Sequence, residues 1–477
     1  MTEQSLKDKT AKGLFWGGLS NGVQQLLNLF FGIFLARLLT PADYGMVGML
    51  TIFSLIAGSI QESGFISAII NKKNIKHEDY NAVFWFSALT SICIYGLLFI
   101  SAPFIARFYD QPELISLARY SFIGFVISSL GTAHAAYMHR NLMVKQKATA
   151  SIIGLCISGT IGVTLAYNGY SYWGIATQSI VYVSVVTCCY WFFSPWRPTF
   201  HFNFMPLKSM IAFSSKILVT NIFNHLNNNI FSILLGKFYS EREVGFYNQA
   251  NKWNGMGYSL INGMINGVAQ PVLAKVSDDK ERQLRVFRKM MRFTAFVSFP
   301  IMFGLSLTAS ELIAIAITDK WLESAKILQI LCISSAFIPI TSLCSNLIIS
   351  KGKSNIFMWN TITLGILQMI VMYLIHPYGI YPMIITYASI NVGWLLIWHC
   401  FVRQQIQYRL SFLLMDILPF AIIAGGVMVI TYHFTLFIDN LYLLFIGKVF
   451  LAGLLYIAIM WLSKAKTLKE CWLYLKK

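Results

Sequence analysis

Apolar residues in this chain fall in runs of about 20, the length a helix needs to cross a bilayer's hydrocarbon core, and charged or Pro- and Gly-containing breaks separate them. The pattern predicts about fourteen spans, centred near residues 26, 57, 94, 126, 158, 182, 222, 258, 303, 338, 364, 391, 424 and 452. The segment from Gly257 to Val272 is the weakest of them, being rich in Asn and Gly. The first run, from about Gly13 to Leu39, follows a leader bearing Lys7, Lys9 and Lys12. It is longer than a signal-peptide apolar core and is expected to remain as a transmembrane helix.

Composition agrees with an all-α polytopic membrane protein: 56% of the 477 residues are hydrophobic and 12% charged, with a mean hydropathy of +0.61. The formal charge of +18 would suggest nucleic acid if it were spread over a soluble surface. Here it is confined to alternate connections. With the N-terminus inside, about 27 of the 37 Lys and Arg fall on the cytoplasmic side and about 6 outside, as the positive-inside rule requires. Both termini are therefore expected in the cytoplasm, with no nucleic-acid partner. Seven of the eight cysteines lie inside apolar runs and no C-x-x-C occurs, so neither a disulfide framework nor a metal site is expected.

The chain repeats itself at an offset of 200 residues. Ser20 to Gly48 laid over Thr220 to Asn248 matches at Asn21/Asn221, Leu26/Leu226, Asn28/Asn228, Phe31/Phe231, Ile33/Ile233, Leu35/Leu235 and Gly45/Gly245. Arg37/Lys237, Thr40/Ser240 and Asp43/Glu243 are conservative pairs. The repeat predicts two parallel six-helix lobes, residues 1–200 and 201–403, with two further helices and a basic tail in 404–477. Within it, Asn21, Gln24, Gln25 and Asn28 share one helical face, and Asn221, Asn224, His225 and Asn228 share the equivalent one. Such residues serve either as interhelical glue or as cavity lining. Lining is favoured, since glue rarely needs four large polar groups on one face and the feature occurs twice.

Several segments resemble one known family. They are Leu35-Ala36-Arg37-Leu38-Leu39-Thr40-Pro41-Ala42-Asp43-Tyr44-Gly45, Glu62-Ser63-Gly64-Phe65 and Ala106-Arg107-Phe108-Tyr109-Asp110-Gln111-Pro112-Glu113-Leu114. In the second half come Ser215-Lys216, Asn228-Asn229-Ile230, Ile233 to Ser240, Val244 to Ala250, Lys320-Trp321-Leu322, Leu328 to Cys332, and Lys351-Gly352-Lys353-Ser354. Their order and spacing resemble the Wzx-type polysaccharide flippases, colanic-acid exporters among them, of the multidrug/oligosaccharidyl-lipid/polysaccharide superfamily. The resemblance implies two six-helix lobes about a central cleft, alternating access, and an undecaprenyl-diphosphate-linked oligosaccharide as cargo in the inner membrane. It also admits a polysaccharide polymerase and a chain-length regulator as protein partners. Residues Ala136 to Ala148 depart from the family's usual wording.

No phosphate loop, metal spacing or nucleophile set appears, so no enzyme activity and no cofactor are expected. The candidate chemistry lies in ionisable residues inside spans: Glu62, Arg119, Lys216 and Lys252, with Glu311 and Lys448 nearer span ends. Each costs about 2.5–3.5 kcal/mol at the bilayer centre on the insertion scale, so they should face water or one another. Arg119, Lys216 and Lys252 are candidates for a cationic site that attracts the diphosphate; Arg119 and Lys252 are also placed to snorkel. Glu62 reads either as half of a buried ion pair or as a protonation switch for coupling. The basic stretch from Lys275 to Arg292 is expected to lie along the cytoplasmic surface and touch membrane lipids. Two rival functions remain at this point. A multidrug exporter of the same superfamily would bind cations, which intramembrane cations disfavour. A membrane-embedded polymerase or glycosyltransferase would need a larger extramembrane loop than this chain has.

Overall fold

A computed structural model of the chain describes residues 3–62, 65–66, 69, 72, 75–201, 203, 205–463 and 468. The side chains of residues 3–15, 17–19, 206, 208–217 and 220 fall outside that description, and Lys216 is among them. The described residues form helices and no strands. In order these are α1 (Glu3–Leu38), α2 (Pro41–Glu62), α3 (His77–Tyr109), α4 (Leu114–Ser121), α5 (Ile123–Arg140), α6 (Val144–Tyr167), α7 (Tyr172–Phe193), α8 (Met205–Phe238) and α9 (Glu241–Lys275). There follow α10 (Lys280–Leu307), α11 (Ala309–Ile317), α12 (Leu322–Ser335), α13 (Ile338–Ser350), α14 (Ser354–Ile375), α15 (Ile380–Ile406), α16 (Leu410–Phe434) and α17 (Leu441–Leu462).

Among the described residues, eleven helical segments are long and apolar enough to cross a membrane by length and composition. Helices α1, α8 and α9, of 36, 34 and 35 residues, are longer still and carry the amide-rich faces that dilute their apolar content. The repeat is visible at helix starts. Thr40 donates from its backbone N–H and its hydroxyl to the Asp43 carboxylate at 2.8 and 2.7 Å, a capping box ahead of Pro41 in the first turn. At the equivalent point the Glu243 N–H donates to the Ser240 hydroxyl at 3.4 Å.

The chain divides into two compact units, residues 1–245 and 246–477, so the division falls inside α9. Compactness and sequence repeat partition the chain differently, because α8 packs on α2 and α3. In the first unit α1 lies along α6, where Gly159 leaves room for the Phe31 ring. A core of Phe65, Ile69, Tyr80, Val83, Phe84, Ala133 and Trp196 gathers α3, α5, residues that follow α2, and the segment after α7. Asn81 fixes that segment by donating to the His201 carbonyl at 2.7 Å and accepting from the Thr199 N–H at 2.9 Å.

In the second unit α10 packs on α16 and α12, and α17 on α16 and α11. The basic stretch does not lie along a surface as a separate helix. From Lys280 it forms the first turns of α10, because its buried side chains Gln283, Phe287 and Met291 continue in register into Thr294, Ser298 and Met302. Large apolar side chains such as Leu97, Ile100, Phe104, Ile422 and Phe450 are exposed, as a hydrocarbon environment requires.

Candidate functional site

The amide-bearing part of α1 meets the hairpin between α5 and α6 at a concavity of about 260 Å³. Its polar lining is Ser20, Asn21 and Gln24 from α1, His139 at the end of α5, and Lys147 and Ser151 on α6. Gln24 donates to the Ser20 hydroxyl at 2.6 Å, which holds its amide on this face. The hairpin turn is tight: Leu142 takes a left-handed φ of 55°, costly for a residue with a branched side chain and of the kind that gathers at functional sites. Helix α6 starts without a side-chain cap. Its first turn therefore offers backbone N–H groups and the positive end of the helix dipole beside Lys145 and Lys147. Lys145 lies over the Trp16 ring at 5.2 Å.

Glu62 ends α2, where a carboxylate meets the negative end of its own helix dipole. It is exposed, and Lys147 is the cation acting on it. The hairpin's other cation is committed elsewhere, since Arg140 donates to the carbonyls of Ile69 and Lys72 at 2.7 and 2.6 Å.

The structure thus brings together Asn21, Gln24 and, through Lys147, Glu62. Gln25 and Asn28 are exposed further along α1. On α8, Asn221 and Asn228 are exposed, while Asn224 and His225 are half-buried and Asn229 donates to the His225 carbonyl at 2.9 Å. Arg119 lies apart from the concavity: its guanidinium sits 4.2 Å over the Phe99 ring. Lys252, in the second unit, is exposed yet desolvated by the protein atoms around it. The expectation for Lys216 concerns a side chain outside the described residues.

Lys147, His139, Ser20 and Ser151 were not among the residues singled out from the sequence. The signal for Lys147 is its place in the first turn of α6, which starts at Val144. The second unit holds a different polar arrangement. Lys448 meets Glu311 at 2.6 Å with both buried, and Asp416, 1% exposed, accepts from Arg288 at 2.8 and 3.0 Å. Asn254 donates to Ser335 at 2.9 Å and Asn346 to Asn266 at 2.8 Å, ordinary interhelical links.

Eleven membrane-capable helical segments among the described residues, and a polar concavity lined by a lysine and amides, define a polytopic membrane protein with a ligand-sized polar site. The chain belongs to the polysaccharide biosynthesis protein family, whose pattern matches residues 34–326. It is 24% identical over 442 residues to the teichuronic acid biosynthesis protein TuaB of Bacillus subtilis strain 168, covering 91% of this chain and 92% of that one. It is 23% identical over 360 residues to the lipopolysaccharide biosynthesis protein WzxC of Escherichia coli strain K12, covering 74% and 72%. Among solved structures it is similar to the lipid II flippase MurJ in an inward closed conformation. The TM-score is 0.75 over 93% of this chain and 97% of that one, at 16% identity, a likeness of fold.

Proposed function

We propose that this protein is a flippase that carries an undecaprenyl-diphosphate-linked oligosaccharide across the inner membrane for surface polysaccharide synthesis. The names of its relatives, which make teichuronic acid and lipopolysaccharide, and the flippase fold support the cargo class. The charge asymmetry of the connections supports cytoplasmic termini. Residues 1–200 and 201–403 are its two repeat halves, and 404–477 an added pair of helices with the tail. A polysaccharide polymerase and a chain-length regulator are proposed protein partners.

One observation carries the reading: a concavity lined by Lys147, His139 and the amides of Asn21 and Gln24 within a membrane helix bundle. A cation and free helix N–H groups suit a diphosphate, and amides suit sugar hydroxyls. In this reading Gln25, Asn28, Asn221, Asn224, His225 and Asn228 line the path the sugars follow. Arg119, Lys216 and Lys252 remain proposed cationic contacts, and Glu62 a proposed coupling group that holds Lys147 until a phosphate replaces it. The test is translocation of a fluorescent polyprenyl-diphosphate oligosaccharide by the purified protein in proteoliposomes. Wild type is expected to move it and Lys147→Ala to lose about tenfold, equivalent to 1.4 kcal/mol. Absence of movement by wild type overturns the reading.

A further inference from the structure

Two glycines that the repeat makes equivalent meet each other's helix. A β-carbon on Gly45 would lie 1.6 Å from the Glu241 carbonyl oxygen, and one on Gly245 would lie 1.8 Å from the Pro41 carbonyl oxygen. Pro41 and Glu241 are themselves equivalent at the same offset. The contact is therefore reciprocal: position 45 touches position 241 and position 245 touches position 41, the signature of a pseudo-two-fold axis passing between the helix starts. Both glycines are buried, and each obstruction is backbone, so no rotamer change could admit a methyl group.

This crossing is close. Its centre offers Cα–H to carbonyl contacts, which are second-order in strength. Its rim has Gln111 donating to Glu241 at 2.9 Å, and Lys237 at 3.5 Å from Asp110 and 5.2 Å from the Phe108 ring. Asp110 is 82% exposed, and an ion pair of that kind adds little. Each helix start keeps its own cap whether or not the helices touch, through Thr40 with Asp43 and Ser240 with Glu243. A contact that rests on backbone shape complementarity and leaves the cap of each helix start intact is suited to opening and closing.

We propose that the reciprocal crossing of Gly45 and Gly245 is the outer closure of the transport path, a glycine seam between the starts of α2 and α9 that parts to release cargo. The inference rests on the flippase reading for its purpose and on the charge asymmetry for its side. In the closed state only glycine fits either position, so each half of the repeat supplies half of the seam.

The first test needs no cargo. With a cysteine at Asn28 as reporter, an impermeant thiol reagent added from outside should label Gly45→Ala about tenfold faster than the parent, a bias of 1.4 kcal/mol toward the open state. Gly245→Ala should match it, and the double variant should be no faster than either single, because one obstructed glycine already prevents closure. Parental labelling rates in variants that accumulate normally overturn the seam, as would additive effects. The second test covers variants that fail to accumulate. Gln111→Cys with Glu241→Cys, bridged by a short cleavable bifunctional thiol reagent, should stop polysaccharide export, and cleavage should restore it; the single-cysteine proteins serve as controls. Undiminished export by the bridged protein overturns the proposal. If the labelling pattern holds while wild type moves no lipid-linked sugar in vesicles, the seam stands and the cargo reading falls.

Discussion

Charged side chains inside the helices of the two units meet opposite fates. In the second unit two sets of them are consumed by each other, while Lys252 stays exposed. Lys448 and Glu311 are 6% and 7% exposed and face each other at 2.6 Å, and Lys448 also donates to the Leu307 carbonyl at 3.4 Å. Asp416 accepts from Nε and Nη2 of Arg288, approaches Arg292 at 4.0 Å, and accepts from the Tyr408 hydroxyl at 3.2 Å. These links fasten α17 to α11 and α16 to α10, so the C-terminal helices are secured at two places. In the first unit the ions keep water or a cavity within reach: Glu62 is exposed, and Lys147 borders the polar concavity. An ion locked in a buried pair is part of the scaffold, whereas an ion with water or a cavity beside it can take a ligand.

The comparison breaks first at the buried pair. Lys448→Met alone should cost about 3–5 kcal/mol, because it leaves the Glu311 carboxylate buried without its cation. Folded protein in the membrane, measured by detergent-extracted monodisperse yield, should fall severalfold. Adding Glu311→Leu should recover most of it, since an apolar pair of similar volume costs little. A double variant as unstable as the single would mean that Glu311 and Lys448 do more than neutralise each other. Asp416→Ala should behave like Lys448→Met, with a smaller deficit because Arg288 keeps partial access to solvent at 25% exposure.

Lys147 supplies the next largest effect, of the other kind. Lys147→Ala should cost yield no more than about 1 kcal/mol, because its partner Glu62 is exposed and an exposed pair adds little. Export in a flippase-deleted strain, normalised to membrane abundance, should nonetheless fall about tenfold, or 1.4 kcal/mol. Lys147→Arg should retain part of it, as attraction to a diphosphate needs charge before donor geometry. Glu62→Gln should leave cargo binding intact, since it frees Lys147. Yield lost in parallel with export would make Lys147 one more scaffold ion and erase the contrast between the units.

The legible part of this molecule is what repeats or stays local. Apolar runs gave the helices, while Thr40/Ser240 and Asp43/Glu243 were visible only as conservative matches at the repeat offset, and their role as caps came from the structure. The amide stripe of α1 was legible by helical periodicity. What faces it was not, because the wall opposite comes from a hairpin more than 100 residues on, where charge counting had assigned Lys147 to a loop. Glu311 and Lys448, 137 residues apart, each looked like a lone charge near a span end. The glycine match at 45 and 245 was visible as identity only; its meaning required knowing that Pro41 and Glu241 lie across from it. For α10, the basic residues suggested a surface helix, yet the buried register of Phe287 and Met291 runs unbroken into the span.

Arg119 gives the smallest effect and the sharpest boundary. It is an intramembrane cation like Lys147, but its guanidinium rests 4.2 Å over the Phe99 ring, with its Nε 3.4 Å from the Phe99 carbonyl. A cation over an aromatic face at a partly exposed site is worth about 0.5–1 kcal/mol, and its flexible stem lets it reach the interface along α3. Arg119→Ala should therefore lower yield slightly and change normalised export less than twofold. Arg119→Lys should restore the yield only in part, because an ammonium lacks the planar stacking surface of the guanidinium. A loss of export as large as that of Lys147→Ala, with yield unchanged, would raise Arg119 from a marginal cationic contact to a principal one. It would also show that distance from the concavity, rather than the presence of a partner, is the wrong criterion for sorting these cations.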